Sequence, residues 1–134
     1  MYEVPRRLRA VFACALLTLG LFILGVPAAE AQDVRNWNRN VARGTEMEFQ
    51  WLNYDEQTCK DYGYPRLIVT TPPKLGKFRS VRRKFTQQNG RCAGKRLSVL
   101  LVYYQAGNKA GRDRTSYTIA GRGNIAVNLN FRVY

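Results

Sequence analysis

Residues 97–104 read Leu97-Ser98-Val99-Leu100-Leu101-Val102-Tyr103-Tyr104, and this stretch decides the fold class. In an extended chain successive side chains point to opposite faces. Leu97, Val99, Leu101 and Tyr103 therefore share one face, and Leu100, Val102 and Tyr104 the other. Apolar residues on both faces, rich in Val and Tyr, are the pattern of a strand that is central in its sheet and covered on both sides. Asn89-Gly90 upstream is a turn signal, and residues 106–114, with two glycines and an aspartate, read as a long turn downstream.

The same period recurs outward from this stretch. Toward the C-terminus Ser116-Tyr117-Thr118-Ile119 is a short strand, and Gly121-Arg122-Gly123-Asn124 a tight turn. Ile125, Val127, Leu129, Phe131 and Val133 then alternate with Ala126, Asn128, Asn130 and Arg132 in a clean closing strand. Toward the N-terminus Met47, Phe49 and Trp51 alternate with Glu46, Glu48 and Gln50, a half-buried strand. Leu67-Ile68-Val69-Thr70-Thr71, between Pro65 and Pro72-Pro73, reads as a buried strand, and Lys77 to Val81 as a charged edge strand. Residues 32–43, polar around Trp37, read as an irregular lead-in or a short edge strand. Nothing beyond residue 31 has helical period. About seven short strands separated by Gly, Pro and Asn turns predict an all-β sandwich over 32–134. Its expected core contains Phe49, Trp51, Leu67, Val69, Val99, Leu101, Tyr117, Val127, Leu129 and Phe131.

Residues 1–31 have a different character. Arg6, Arg7 and Arg9 precede an uncharged apolar run from Ala10 to Val26, Pro27 breaks it, and Ala29-Glu30-Ala31 is a small-x-small exit before Gln32. This is the layout of a secretory signal peptide, with retention as a membrane anchor the alternative for a run at the short end of bilayer-spanning lengths. A periplasmic or secreted domain is the expectation. Cys59 and Cys92 remain after cleavage, and an even count in an oxidising compartment predicts one disulfide.

Of the 134 residues, 22 are Lys or Arg and 9 are Asp or Glu. The signal segment carries three Arg and two Glu, so residues 32–134 hold most of the positive charge. Such a surface attracts anions. Anionic polysaccharide, lipid headgroups or another envelope protein are the partners it suits, and export sets intracellular nucleic acid aside. Lys77, Arg79, Arg82, Arg83 and Lys84, beside Phe78 and Phe85, form the densest basic run and the candidate anion-binding patch. In this reading Lys77 and Arg79 share a strand face, while Arg82, Arg83 and Lys84 project from a turn beyond it.

Histidine is absent from the whole chain, which removes Ser-His-Asp and Cys-His machinery and most zinc sites. No glycine-rich phosphate loop is present, and Ser80, Ser98 and Ser116 sit in no nucleophile elbow. Asp55, Glu56 and Asp61 lack the spacing of a Ca²⁺ loop and read as a solvated cluster offsetting Lys60 and Arg66. No cofactor, metal site or catalytic residue is expected.

From Tyr103 to Ile119 the chain carries Tyr103, Gly111, Asp113 and Tyr117, and upstream Pro73-Lys74-Leu75-Gly76-Lys77-Phe78. These segments resemble the bacterial cadherin-like and immunoglobulin-like repeats of secreted and surface proteins, from which Gln105, Lys109 and Thr115 depart. The resemblance implies an immunoglobulin-like β-sandwich in which Asp113 accepts backbone hydrogen bonds, and a binding or structural module without enzymatic activity. The alternatives are a cationic envelope-active protein that binds anionic lipid or lipopolysaccharide, and an enzyme inhibitor or enzyme of another kind.

Overall fold

The computed structural model describes residues 32–134; the signal peptide expected over residues 1–31 lies outside them. Seven strands and no helix occur along this length. They are β1 (Asp33–Val41), β2 (Glu46–Leu52), β3 (Arg66–Thr71), β4 (Gly76–Thr86), β5 (Arg96–Ala106), β6 (Gly111–Ala120) and β7 (Asn124–Val133). One sheet has the order β1-β7-β6-β3 and the other β2-β5-β4. All pairings are antiparallel except β1 with β7. Counted from the second strand, this is the division of an immunoglobulin-like Greek-key sandwich, with the first strand joined in parallel to the last.

The core is built from the inward parity of both sheets. Leu100, Val102 and Tyr104 of β5 and Phe49 and Trp51 of β2 meet Tyr117 and Ile119 of β6 and Val127, Leu129, Phe131 and Val133 of β7. Tyr104 stacks on Phe131 with ring centroids 3.8 Å apart. The Trp51 indole N–H donates to the Tyr117 hydroxyl across the interior at 3.3 Å. Asp113, also buried, accepts the Tyr104 hydroxyl at 2.8 Å and the backbone N–H groups of Lys74 and Leu75, both at 2.8 Å. These donors satisfy a carboxylate that burial alone would penalise. At Gly76, just beyond, a Cβ would stand 2.5 Å from the Gln105 carbonyl and 2.6 Å from the Tyr104 ring, so only glycine fits there.

Several expectations need correction. Of the two readings of residues 32–43 the edge strand holds, lengthened to 33–41, because these residues complete the ladder of β7 register by register. Trp37 stacks on Phe49 and Trp51, with centroids 5.5 and 5.9 Å away. Ile68 and Val69 are 44 % and 41 % exposed, since β3 pairs with β6 alone and forms a sheet edge; Leu67 only packs partly against the core. Val99 and Leu101 are buried but lie on the outer face of β5, flanked in register by Leu52 and Arg83 and by Gln50 and Val81. Asp113 sits inside a strand, β6, and bonds the connection before β4 rather than a turn of its own.

Cys59 and Cys92 are bonded, with Cα atoms 5.4 Å apart, and join the β2–β3 connection to the β4–β5 connection. Among the described residues no helix is long and apolar enough to cross a membrane.

Leu100, 2 % exposed on the inner face of β5, should cost about 2 to 5 kcal/mol when truncated to Ala, read from denaturant melts. A loss below about 1 kcal/mol would mean that β5 does not centre the core. The bond between Cys59 and Cys92 closes a loop of sequence separation 33. Replacing both cysteines with Ser should lower stability by about 3 to 4 kcal/mol in the chain-entropy account; an unchanged urea midpoint would refute that role.

Candidate anion-binding site

The five cations of the basic run all lie on β4, which continues to Thr86. No turn intervenes, because β4 pairs with β5 in unbroken register from Gly76–Ala106 to Thr86–Arg96. The expected projection of Arg82, Arg83 and Lys84 from a turn is thereby corrected. Strand parity splits the run. Lys77, Arg79 and Arg83 fall on the outer face with Tyr103 and Val99, whereas Arg82 and Lys84 share the parity of Leu100 and Ser98, which faces the other sheet.

Two of the five are already engaged. Arg79 donates both fork nitrogens to Glu46, at 2.8 and 2.6 Å, and its guanidinium lies 3.8 Å from the centroid of the Tyr103 ring. The Arg79 hydrogen bonds hold the Glu46 carboxyl below its ordinary range. Lys84 donates to Asp61 at 3.0 Å and to the Ser98 hydroxyl at 2.8 Å. The Ser98 hydroxyl and N–H both donate to the same Asp61 oxygen, at 2.7 and 3.0 Å, while the Gly63 N–H donates to the other at 2.9 Å. Burial raises the Asp61 pKa, but the Ser98 hydroxyl, the Lys84 ammonium and the two backbone donors outweigh it and bring the pKa down to about 2. The proximity of Ser98 and Lys84 has the residue types of a Ser-Lys nucleophile pair. Here the Ser98 hydroxyl donates to Asp61 instead of to Lys84, and Ser98 is 1 % exposed. The cluster works as a lock between the β2–β3 connection and the sheet.

Arg82 and Lys84 belong to an aromatic and cationic cluster at one end of the sandwich. They lie 5.7 and 5.6 Å from the Tyr64 ring centroid. Arg122 and Lys60 lie 5.0 and 5.1 Å from that of Tyr62, all within cation–π range. Asn53, Tyr62, Tyr64, Arg66, Arg122 and Asn124 line a depression of about 450 Å³ there. Arg122 pairs with Asp55, which also accepts the N–H groups of Gln57 and Thr58, at 2.8 and 2.9 Å. The Thr58 N–H, then Arg122, then the Gln57 N–H hold the Asp55 pKa at about 2. The ion partners of Asp55 and Asp61 are thus Arg122 and Lys84, in place of the expected Lys60 and Arg66. Among the described residues no group of His, Cys, Asp or Glu is arranged to hold a metal ion.

Tyr62 and Tyr64 were not singled out by sequence, where they read only as parts of a polar loop. Their one signal is the alternation of Lys60, Tyr62 and Tyr64 beside Arg66. Comparison of the chain with family models, curated proteins and solved structures finds no match.

Asp55 and Asp61 both have native pKa values of about 2 against an ordinary 3.8. The native state therefore binds fewer protons than the unfolded chain as pH falls through this interval, and acid favours unfolding. The stability they contribute should be fully present above about pH 5 and lost between about pH 4 and pH 2. Asp61→Asn should flatten that acid limb in melts recorded from pH 7 to pH 2. An equally steep limb in the variant would exclude Asp61 as a source.

Proposed function

We propose that this protein is an exported, non-catalytic β-sandwich that binds an anionic component of the cell envelope through arginine and lysine side chains left without acidic partners. One observation carries the reading: among the described residues every acid but Glu56 is engaged in a side-chain hydrogen bond or ion pair, and most of the bases have no acidic partner. Asp113 is buried under three donors. Asp55 and Asp61 fasten loops. Glu46 takes Arg79, Asp33 takes Arg35, and Glu48 accepts Gln50. The ion pairs among the described residues engage only Arg35, Arg79, Lys84 and Arg122. Lys77, Arg82, Arg83, Arg66, Arg112, Arg114 and Arg132 are outside them.

Location outside the cytoplasm rests on the signal-like segment 1–31 and on the disulfide, a bond that persists in oxidising compartments. The non-catalytic reading rests on the absence of histidine and on the burial of Ser98, whose hydroxyl is held by Asp61 and Lys84. The loose likeness to cadherin-like and immunoglobulin-like repeats suits a module whose work is contact, though a fold of this kind serves many functions.

The protein should bind polygalacturonate, a carboxylate polymer, or vesicles containing phosphatidylglycerol. That binding should weaken steeply from about 0.1 M to about 1 M salt, as the Debye length shrinks from about 10 to about 3 Å. Binding to neither probe at about 0.15 M salt, or binding indifferent to salt, would end the proposal.

A further inference from the structure

The outward face of the four-stranded sheet carries a pattern that the basic run on β4 does not. Outward positions on β1 are Val34, Asn36, Asn38 and Asn40, and on β7 Ala126, Asn128, Asn130 and Arg132. The register sets them opposite one another in that order. Asn128 donates its amide to the Asn36 oxygen at 2.9 Å, and Asn130 to the Asn38 oxygen at 3.1 Å. On the far side of β7, Ser116, Arg114 and Arg112 of β6 stand opposite Asn128, Asn130 and Arg132. No aspartate or glutamate occupies an outward position of these three strands. Asp33 and Asp113 lie on them but have the inward parity.

Arg112 and Arg132 are direct cross-strand partners, with Arg114 two residues along the same face. Like charges directly opposite destabilise a sheet, and here no ion pair offsets them. An anionic group set between the two removes the repulsion and receives charge-assisted hydrogen bonds from both forks. A shallow depression of about 490 Å³ lies at this place, between Asn38, Asn40, Arg112, Arg114, Asn130 and Arg132.

We infer that this face of β1, β7 and β6 is the docking surface for an extended acidic polysaccharide. The inference rests on the anionic-partner reading and specifies its ligand class and surface. Arg112, Arg114 and Arg132 fork onto the carboxylate or sulfate groups. The asparagine rows supply amides that both donate and accept, as chains of sugar hydroxyls require. A nucleic acid is disfavoured because Tyr134, which follows β7 with the parity of Arg132, is the one exposed aromatic ring beside this face and gives successive bases no platform to stack on. A membrane is disfavoured because the positions around the arginines are polar, and Val34, at the far end of β1, is the one large apolar residue exposed on this face of the three strands.

The test is the affinity of the purified protein for polygalacturonate at about 0.15 M salt, in three double variants. Arg112→Glu with Arg114→Glu should weaken binding by about tenfold or more. Asn128→Ala with Asn130→Ala, which leaves net charge unchanged, should weaken it severalfold. Arg82→Glu with Arg83→Glu changes charge as much as the first pair and should have a much smaller effect. The single Arg112→Glu should raise the melting temperature, because it replaces a repelling pair with an attracting one, while it weakens binding. A variant that had merely misfolded would melt lower. Loss confined to the Arg82 and Arg83 variant, an unchanged affinity after the asparagine changes, or tighter binding of an oligonucleotide or of phosphatidylglycerol vesicles would overturn the inference and leave the anionic-partner reading standing. Failure of the parent to bind any of these polyanions would remove both.

Discussion

The hydrogen bonds of Asp113 tie the two sheets to each other and to the segment that crosses between them. Its carboxylate is buried between the sheets and receives the Tyr104 hydroxyl from β5 and two N–H groups from the connection that leads into β4. One side chain thus joins strands of both sheets to the segment that crosses between them. Tyr104 in turn stacks on Phe131, so the orientation of the central ring pair depends on the same acid. Burial first, and then donation to Asp113, pushes the Tyr104 phenol far above its ordinary value, and it remains a donor at every physiological pH. The close approach at Gly76 follows from the same packing, because the incoming backbone runs against the Tyr104 ring.

The use of acid inside the fold has a consequence for the outside. Asp113, Asp61 and Asp55 each satisfy backbone donors that would otherwise be unpaired in a connection or between sheets. A chain with few acids that spends them this way leaves its surface positive by construction. The surface is therefore uneven rather than uniformly basic. Arg79 and Lys84 sit in local pairs, whereas the outer face of β6 and β7 collects arginines with only amides and hydroxyls between them. Exposed edges of a sheet also invite pairing with other chains, and the charged β4 edge is protected against it. The basic run on β4 thus has a sufficient structural purpose of its own.

Much of the fold was legible in the sequence because a strand's period of two is a local property. The alternation at Glu46–Leu52, at residues 97–104 and at Asn124–Val133 gave strands where strands occur. The pairing of Cys59 with Cys92 followed from their being the only cysteines beyond the signal-like segment. The candidate site was less legible. Lys77 to Lys84 stood out as a run, but a run along the chain is not a patch in space, since alternate residues of a strand face apart. Apart from the neighbouring Lys60, Tyr62 and Tyr64 acquire their cations from β4 and from the turn at Arg122, segments distant in sequence.

By itself the sequence determined the all-β class, the positive charge, the disulfide and the lack of histidine chemistry, because each depends on composition or on neighbours along the chain. Tertiary structure alone decided which apolar face of β5 meets the second sheet, because both faces of that strand are apolar and periodicity cannot rank them. It decided that the polar segment around Trp37 is a strand, since only the open edge of β7 gives those residues a ladder to complete. It also decided the placing of charge. Arg112 and Arg132 are twenty residues apart in a chain whose local pattern says nothing of either. Antiparallel register between β6 and β7 is what sets them side by side.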